Sequence, residues 1–110
     1  MAGWYELTTT DKGQFSFVLK AGNSEVILRS EQYDAKASAS NGIASVQKNS
    51  PDEARCERNA AKDGRCYFNL KAGNHQIIGT SQMYKDESGR DGGVKSVQAN
   101  GPSTTIKNMA

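Results

Sequence analysis

The side chains best suited to chemistry are Cys56, Cys66 and His75, the only cysteines and histidine in the chain. A thiolate beside an imidazole makes a nucleophile with its base, and three such donors can open a zinc site. Here the three lie ten and nine residues apart. That spacing fits no zinc pattern and implies no Cys-His or Asp-His-Ser arrangement. The cysteines read as small, buried, reduced hydrophobes, and His75 as a surface turn residue. There is no phosphate loop, no dinucleotide fingerprint and no HExxH. Gly89–Gly93 is glycine-rich, but it follows no strand directly and lacks the spacing of a phosphate-binding turn. The sequence therefore predicts no metal site, no cofactor and no catalytic constellation, and a small enzyme is the least favoured function.

Some polar residues recur in pairs. Ser30 and Tyr33 return as Ser81 and Tyr84, and Lys20 returns as Lys71. Serine and tyrosine in this arrangement could line two equivalent small pockets. The simpler reading packs each tyrosine ring under the start of a helix with its hydroxyl hydrogen-bonded. The lysines could hold an anion, but near a hairpin end they read as solvated or paired with a carboxylate. Asn23 and Asn74 read as left-handed turn residues, and Asn49 and Asn100 as helix ends.

These pairs belong to a tandem duplication. With an offset of 51, Phe17–Pro51 aligns on Phe68–Pro102 without a gap, and fifteen of the 35 positions are identical. The reading is one domain, 1–110, of two repeats at about 4–53 and 55–104, with a C-terminal strand at about 104–108. Within each repeat the hydrophobic period changes. Phe15, Phe17 and Leu19 alternate with polar neighbours, as do Cys66, Phe68 and Leu70, which predicts half-buried strands. Turns ending in Gly13 and Gly64 precede them, and Gly22-Asn23 and Gly73-Asn74 follow. Ala35, Ala39, Ile43 and Val46 then mark one face of a helix, with Asp34 as its expected N-cap. The second helix carries Gly89, Gly92 and Gly93, each costing about 1 kcal/mol against Ala, so it is expected to begin late, near Asp91. Gly42 and Gly93 occupy one repeat position and predict a close helix–sheet approach.

Composition sets the outer limits. The chain has 110 residues and a mean hydropathy of −0.72; 35% are hydrophobic and 7% aromatic, which suits one thin core with a wet surface. A net charge of +2 is too small to argue for a nucleic-acid scaffold. The amino terminus lacks the basic and apolar regions of a signal peptide, and no apolar run approaches the ~20 residues of a membrane span. The expectation is a soluble, cytoplasmic monomer.

The motif Leu-Lys-Ala-Gly-Asn, then Ser-x-x-Tyr, then Gly-(Ile/Val)-x-Ser-Val-Gln-x-Asn, present in both copies over about residues 4–108, resembles the repeat of the YegP-like (UPF0339) family. These are small bacterial domain-of-unknown-function proteins. The resemblance implies an α+β fold: two tandem β-β-β-α-β repeats forming one antiparallel sheet. Both helices then lie on one face, and the C-terminal strands are exchanged between repeats. It carries over no catalytic or binding residues. Gly79, standing where the first copy has Leu28, and the glycines of the second helix depart from the repeat and mark the second half as the softer one.

Strand parity then sorts the side chains. Tyr5, Leu7, Phe15, Phe17, Leu19, Val26 and Leu28 are expected under the helices, with Cys56, Cys66, Phe68, Leu70 and Ile77 as counterparts. Cys56 should lie opposite Leu70 and Cys66 opposite Ala60. The helix-free face would carry Trp4, Val18, Lys20, Ile27 and Arg29, and in the second copy Tyr67, Lys71 and Ile78. If Trp4, Ile27, Tyr67 and Ile78 are adjacent and part-exposed, they form a platform for a protein partner. The alternative is a weak single-stranded nucleic-acid surface, with aromatics stacking on bases and Lys and Arg meeting phosphates.

Overall fold

The computed structural model describes residues 3–74 and 76–109. His75, expected as a surface turn residue, lies outside the described residues. Strands β1 (Trp4–Thr9), β2 (Phe15–Lys20) and β3 (Val26–Ser30) lead to helix α1 (Lys36–Asn49). One 3-10 turn at Glu53–Arg55 precedes β4 (Cys56–Ala60), β5 (Cys66–Lys71), β6 (Ile77–Thr80), helix α2 (Glu87–Asn100) and β7 (Ile106–Asn108). The strands form one sheet in the order β4-β5-β6-β3-β2-β1-β7. The fold is α+β as expected, with one difference: the sheet is mixed. Six strands pair antiparallel, while β7, closing the first repeat from the end of the second, runs parallel to β1. It reaches β1 from a helix end, as a crossover, and not through a hairpin.

Both helices cover one face. Ala39, Ile43 and Val46 of α1 and Val94 and Val97 of α2 are buried in one cluster with Tyr5, Phe17, Leu19, Phe68 and Leu70. The shared motif has a visible purpose. Val46 and Val97 are fully buried, and the Asn49 and Asn100 side-chain amides each donate to the carbonyl one turn back, Ser45 or Ser96, at 2.8 Å. Gln47 reaches across to the Ser103 carbonyl at 2.9 Å and Gln98 to that of Pro51 at 3.4 Å, so each helix end holds the other repeat.

Local chemistry sets the turns. Gly13 and Gly64 adopt φ of 80° and 88°, as the three-residue hairpin loops require. In the next turn the left-handed residue is Ser24 (φ 71°), not Asn23. Asn23 and Asn74 instead accept from the backbone N–H two residues on, each at 3.1 Å, which shapes the turn through the side chain. At the helix starts Asp34 is not a cap. It accepts from Gln14, and Ala35 precedes α1 without a side-chain cap. Helix α2 begins at Glu87, earlier than its glycines suggested, because the Asp86 carboxylate caps the Gly89 N–H at 2.8 Å. A cap of about 1 kcal/mol and the burial of Val94 and Val97 offset the glycine cost.

One expectation from strand parity fails in both repeats at the same place. A β-bulge between Leu19 and Lys20 leaves Lys20 paired with Val26, and its counterpart pairs Lys71 with Ile77. Each inserts one residue into the strand and reverses the parity before it. Ile27 and Ile78 therefore turn under the helices, 3% and 5% exposed, while Ile77 is 41% exposed and Val26 lies on the open face. The cysteines pair as expected, Cys56 with Leu70 and Cys66 with Ala60, both as buried free thiols. No helix among the described residues is long and apolar enough to cross a membrane.

Candidate binding surfaces

On the helix-free side a cross-strand row runs over all seven strands: Lys107, Glu6, Val18, Arg29, Thr80, Asn69 and Glu57. Its charges are mostly answered in place. Glu6 meets Lys20 at 3.2 Å, and its repeat counterpart Glu57 meets Lys71 at 2.5 Å. The Trp4 indole donates to Glu6 at 2.9 Å, and this bond and the Lys20 contact hold the Glu6 carboxyl below its usual range. Arg29, exposed at the centre, has no carboxylate partner among the described residues. The expected platform does not form. Ile27 and Ile78 are on the other face. Trp4 and Tyr67 sit on β1 and β5, four strand spacings or roughly 19 Å apart. Lys107 covers the Trp4 ring at 4.5 Å from its centroid, which takes that ring face from any stacking base.

The repeated serines are structural. Ser30 accepts from the Phe17 N–H at 2.9 Å and donates to the Glu31 carbonyl, and Ser81 repeats this with Phe68 and Gln82. They continue the ladder where each strand turns toward its helix. The tyrosines stack on the core phenylalanines: Tyr33 on Phe17 at 6.2 Å and Tyr84 on Phe68 at 6.4 Å. Their hydroxyls lie where a Cβ at Gly42 or Gly93 would stand, which is the close approach that both glycines allow. Burial pushes both phenols up. The nearby Glu31 carboxylate adds to this at Tyr33, and at Tyr84 a Gln82 hydrogen bond opposes it while Glu25 adds.

Tyr33 also borders an open groove of about 320 Å³. One wall is α1, through Ser38, Asn41 and Ser45. The other is the β5–β6 turn of the second repeat, through Asn74, Gln76 and Ile77, and Glu31 stands at the rim. The groove exists because α1 lies over the other repeat's hairpin, and the bulge that buries Ile78 supplies its floor. Its described lining has amides, hydroxyls and one carboxylate but no lysine or arginine. Such a lining hydrogen-bonds a neutral polar ligand, and it offers a phosphate nothing to neutralise it. The corresponding positions on α2 are Gly89 and Gly92 in place of Ser38 and Asn41, so the second repeat lacks those two polar side chains.

With this geometry established, comparison with known proteins places the chain. The family described as "Domain of unknown function (DUF1508)" matches twice, at residues 11–57 and 61–108. The chain belongs to the DUF1508 family. It is 62% identical over 109 residues to a UPF0339 protein of Acinetobacter baylyi, covering 99% of this chain and 98% of the relative. It is 59% identical over 107 residues to the UPF0339 protein YegP of Escherichia coli K12, covering 97% of each. The solution NMR structure of the E. coli protein, described as of unknown function, superposes with a TM-score of 0.93 at 58% identity over 98% of this chain and 93% of that one. The solution structure of the Shewanella oneidensis UPF0339 protein gives 0.93 at 62% identity, covering 98% and 92%.

In this DUF1508 chain the sequence pointed to Tyr33 as a pocket residue and to Ile78 only as part of the open sheet face, and the other lining residues were not among the expected site. Ser38, Asn41 and Gln76 belong to no repeated motif, and Asn74, though part of Leu-Lys-Ala-Gly-Asn, reads only as a turn residue; the four come from different repeats and meet through a helix crossing. One signal was available: Asn41 and Ser45 are four apart on the helical face that begins beside Gly42, so a polar strip had to border the buried one.

Proposed function

We propose that the protein is a non-catalytic binding module whose ligand lies in the groove between α1 and the β5–β6 turn. The observation that carries this reading is the lining itself: neutral donors and acceptors on two walls, Tyr33 and Ile77 as apolar surface, one carboxylate, Glu31, at the rim, and no basic side chain among the described residues. It points to an uncharged, multiply hydrogen-bonding ligand such as a sugar or an amide. A monomer in the reducing cytoplasm is the setting that agrees with the two buried free thiols.

The test is an amide NMR titration of the full chain with N-acetylglucosamine, N-acetyl-trialanine amide and ATP. A neutral probe should shift the amides of Asn41, Ser45 and Gln76, and Asn41→Leu should abolish that response. ATP should leave these amides unmoved. Shifts confined to Arg29, Lys20 and Lys71 on addition of oligothymidine, weakening with salt, would favour the nucleic-acid reading, for which Arg29, without a carboxylate partner among the described residues, is the supporting observation. No neutral-probe shift in the groove would overturn the proposal.

A further inference from the structure

The carboxylates of Glu6, Glu53, Glu57, Asp63 and Asp91 each meet a lysine or an arginine. Glu31 meets none among the described residues, and it stands at the rim of the groove. The polar groups beside it are equally unengaged. The hydroxyls of Tyr33 and Ser38 and the side-chain amides of Asn41 and Gln76 make no hydrogen bond to a described residue. Asn74 accepts from the Gln76 N–H at 3.1 Å and keeps its own amide donors. The groove is thus a set of hydroxyls and amides that both donate and accept, around one group that only accepts.

A ligand that covers Glu31 takes water away from a full negative charge and must return hydrogen-bond donors. The two neutral ligand classes differ at this point. An amide chain presents its N–H groups singly, each next to a carbonyl that a carboxylate repels, so one carboxylate oxygen is left without a donor. Two adjacent hydroxyls on a pyranose ring lie gauche and donate to both carboxylate oxygens together. Their own oxygens then accept from the amides and hydroxyls alongside. A sugar ring also has an apolar C–H face, and Ile77, 41% exposed, stands among the polar groups to meet it. We infer that the groove takes a sugar, with two adjacent hydroxyls of a pyranose ring on Glu31 and the ring face on Ile77. This rests on the groove reading and narrows it to one ligand class. ATP carries a ribose diol too, but its triphosphate is repelled by Glu31 and finds no basic side chain among the described lining. The second repeat is an internal control. There Gln82 stands for Glu31, and Gly89 and Gly92 stand for Ser38 and Asn41. Its carboxylate, Glu25, comes from the hairpin instead and already accepts from the Asn23 amide at 3.4 Å.

The test is a titration of the full chain, isotope-labelled, with methyl β-glucopyranoside, its 3-deoxy analogue and N-acetyl-trialanine amide. The 3-deoxy sugar keeps the ring but has no adjacent pair of hydroxyls. The glucoside should shift the amides of Asn41, Ser45 and Gln76 and leave those of Gly89 and Gly92 unmoved. The 3-deoxy analogue should bind about ten-fold more weakly. Glu31→Gln, which puts a donor in place of one acceptor at an exposed position, should weaken the glucoside by about the same factor and leave the tripeptide amide unaffected. Equal affinity for the glucoside and its 3-deoxy analogue would overturn the sugar assignment. So would a glucoside affinity unchanged by Glu31→Gln, tighter binding of the tripeptide amide, or equal shifts at Gly89 and Gly92. Each of these leaves the groove reading standing. Groove amides that stay unmoved with every probe would overturn both.

Discussion

At the residue scale, the two repeats differ most tellingly where the two-fold axis that relates them, between β3 and β6 at the Arg29–Thr80 pair, brings counterparts together. Leu28 and Gly79 are equivalent positions, and a Cβ on Gly79 would stand 3.0 Å from the Leu28 side chain and 2.8 Å from the Arg29 carbonyl. Ser50 and Gly101 are also equivalent, and a Cβ on Gly101 would collide with the fully buried Ser50 hydroxyl. Each pair has room for one side chain, so the glycine fits the crossing and is not a sign of a softer half. Gly101→Ser should therefore destabilise the protein by about 1–3 kcal/mol, read from urea unfolding. Adding Ser50→Gly should restore most of that loss, and a non-recovering double variant would deny the crossing. The Glu57 carboxyl offers a second test at this scale. The hydrogen bond from Lys71, then that from Asn59, hold it at about 2. A folded value below the unfolded one of about 4.3 means the contribution is present above the unfolded value and is lost as pH falls toward 2. Its exposure keeps that contribution small. Lys71→Met should raise the Glu57 titration, followed by side-chain carboxyl NMR, well above its value of about 2 but leave it short of about 4.3, because Asn59 still donates to the carboxylate.

At the element scale, the sequence patterns foretold the strands, the helices and the cysteine pairing, because period and turn chemistry are local. The Cys56–Leu70 and Cys66–Ala60 register followed from a three-residue loop closing on Gly64. The bulge was not legible. Val26-Ile27-Leu28 and Ile77-Ile78 contain adjacent apolar residues, so either parity satisfies the pattern, and only the helices above decide which isoleucine they bury. That single inserted residue removed Ile27 and Ile78 from the open face and, with them, the expected platform. The start of α2 was misjudged for a related reason. Propensity counted its glycines, while the Asp86 cap and the burial of Val94 and Val97 acted through the tertiary structure. The parallel β7 carried no period long enough to reveal its partner or its direction.

At the scale of the whole molecule, the duplication interlocks the repeats instead of stacking them. β3 and β6 pair across the axis at Arg29 and Thr80, themselves repeat counterparts, and β7 returns from the second repeat to close the first. Each helix end bonds the other repeat through Gln47 or Gln98. The groove follows from this interlocking, since one wall belongs to each repeat and neither repeat alone could form it. The most direct measurement is the set of nuclear Overhauser contacts of the Ile78 methyls in the full chain. The account predicts contacts from Ile78, in the second repeat, to Gly42 and Ser45 on α1 of the first. Contacts confined to Ile78's own repeat, or to the open face beside Lys71, would contradict it.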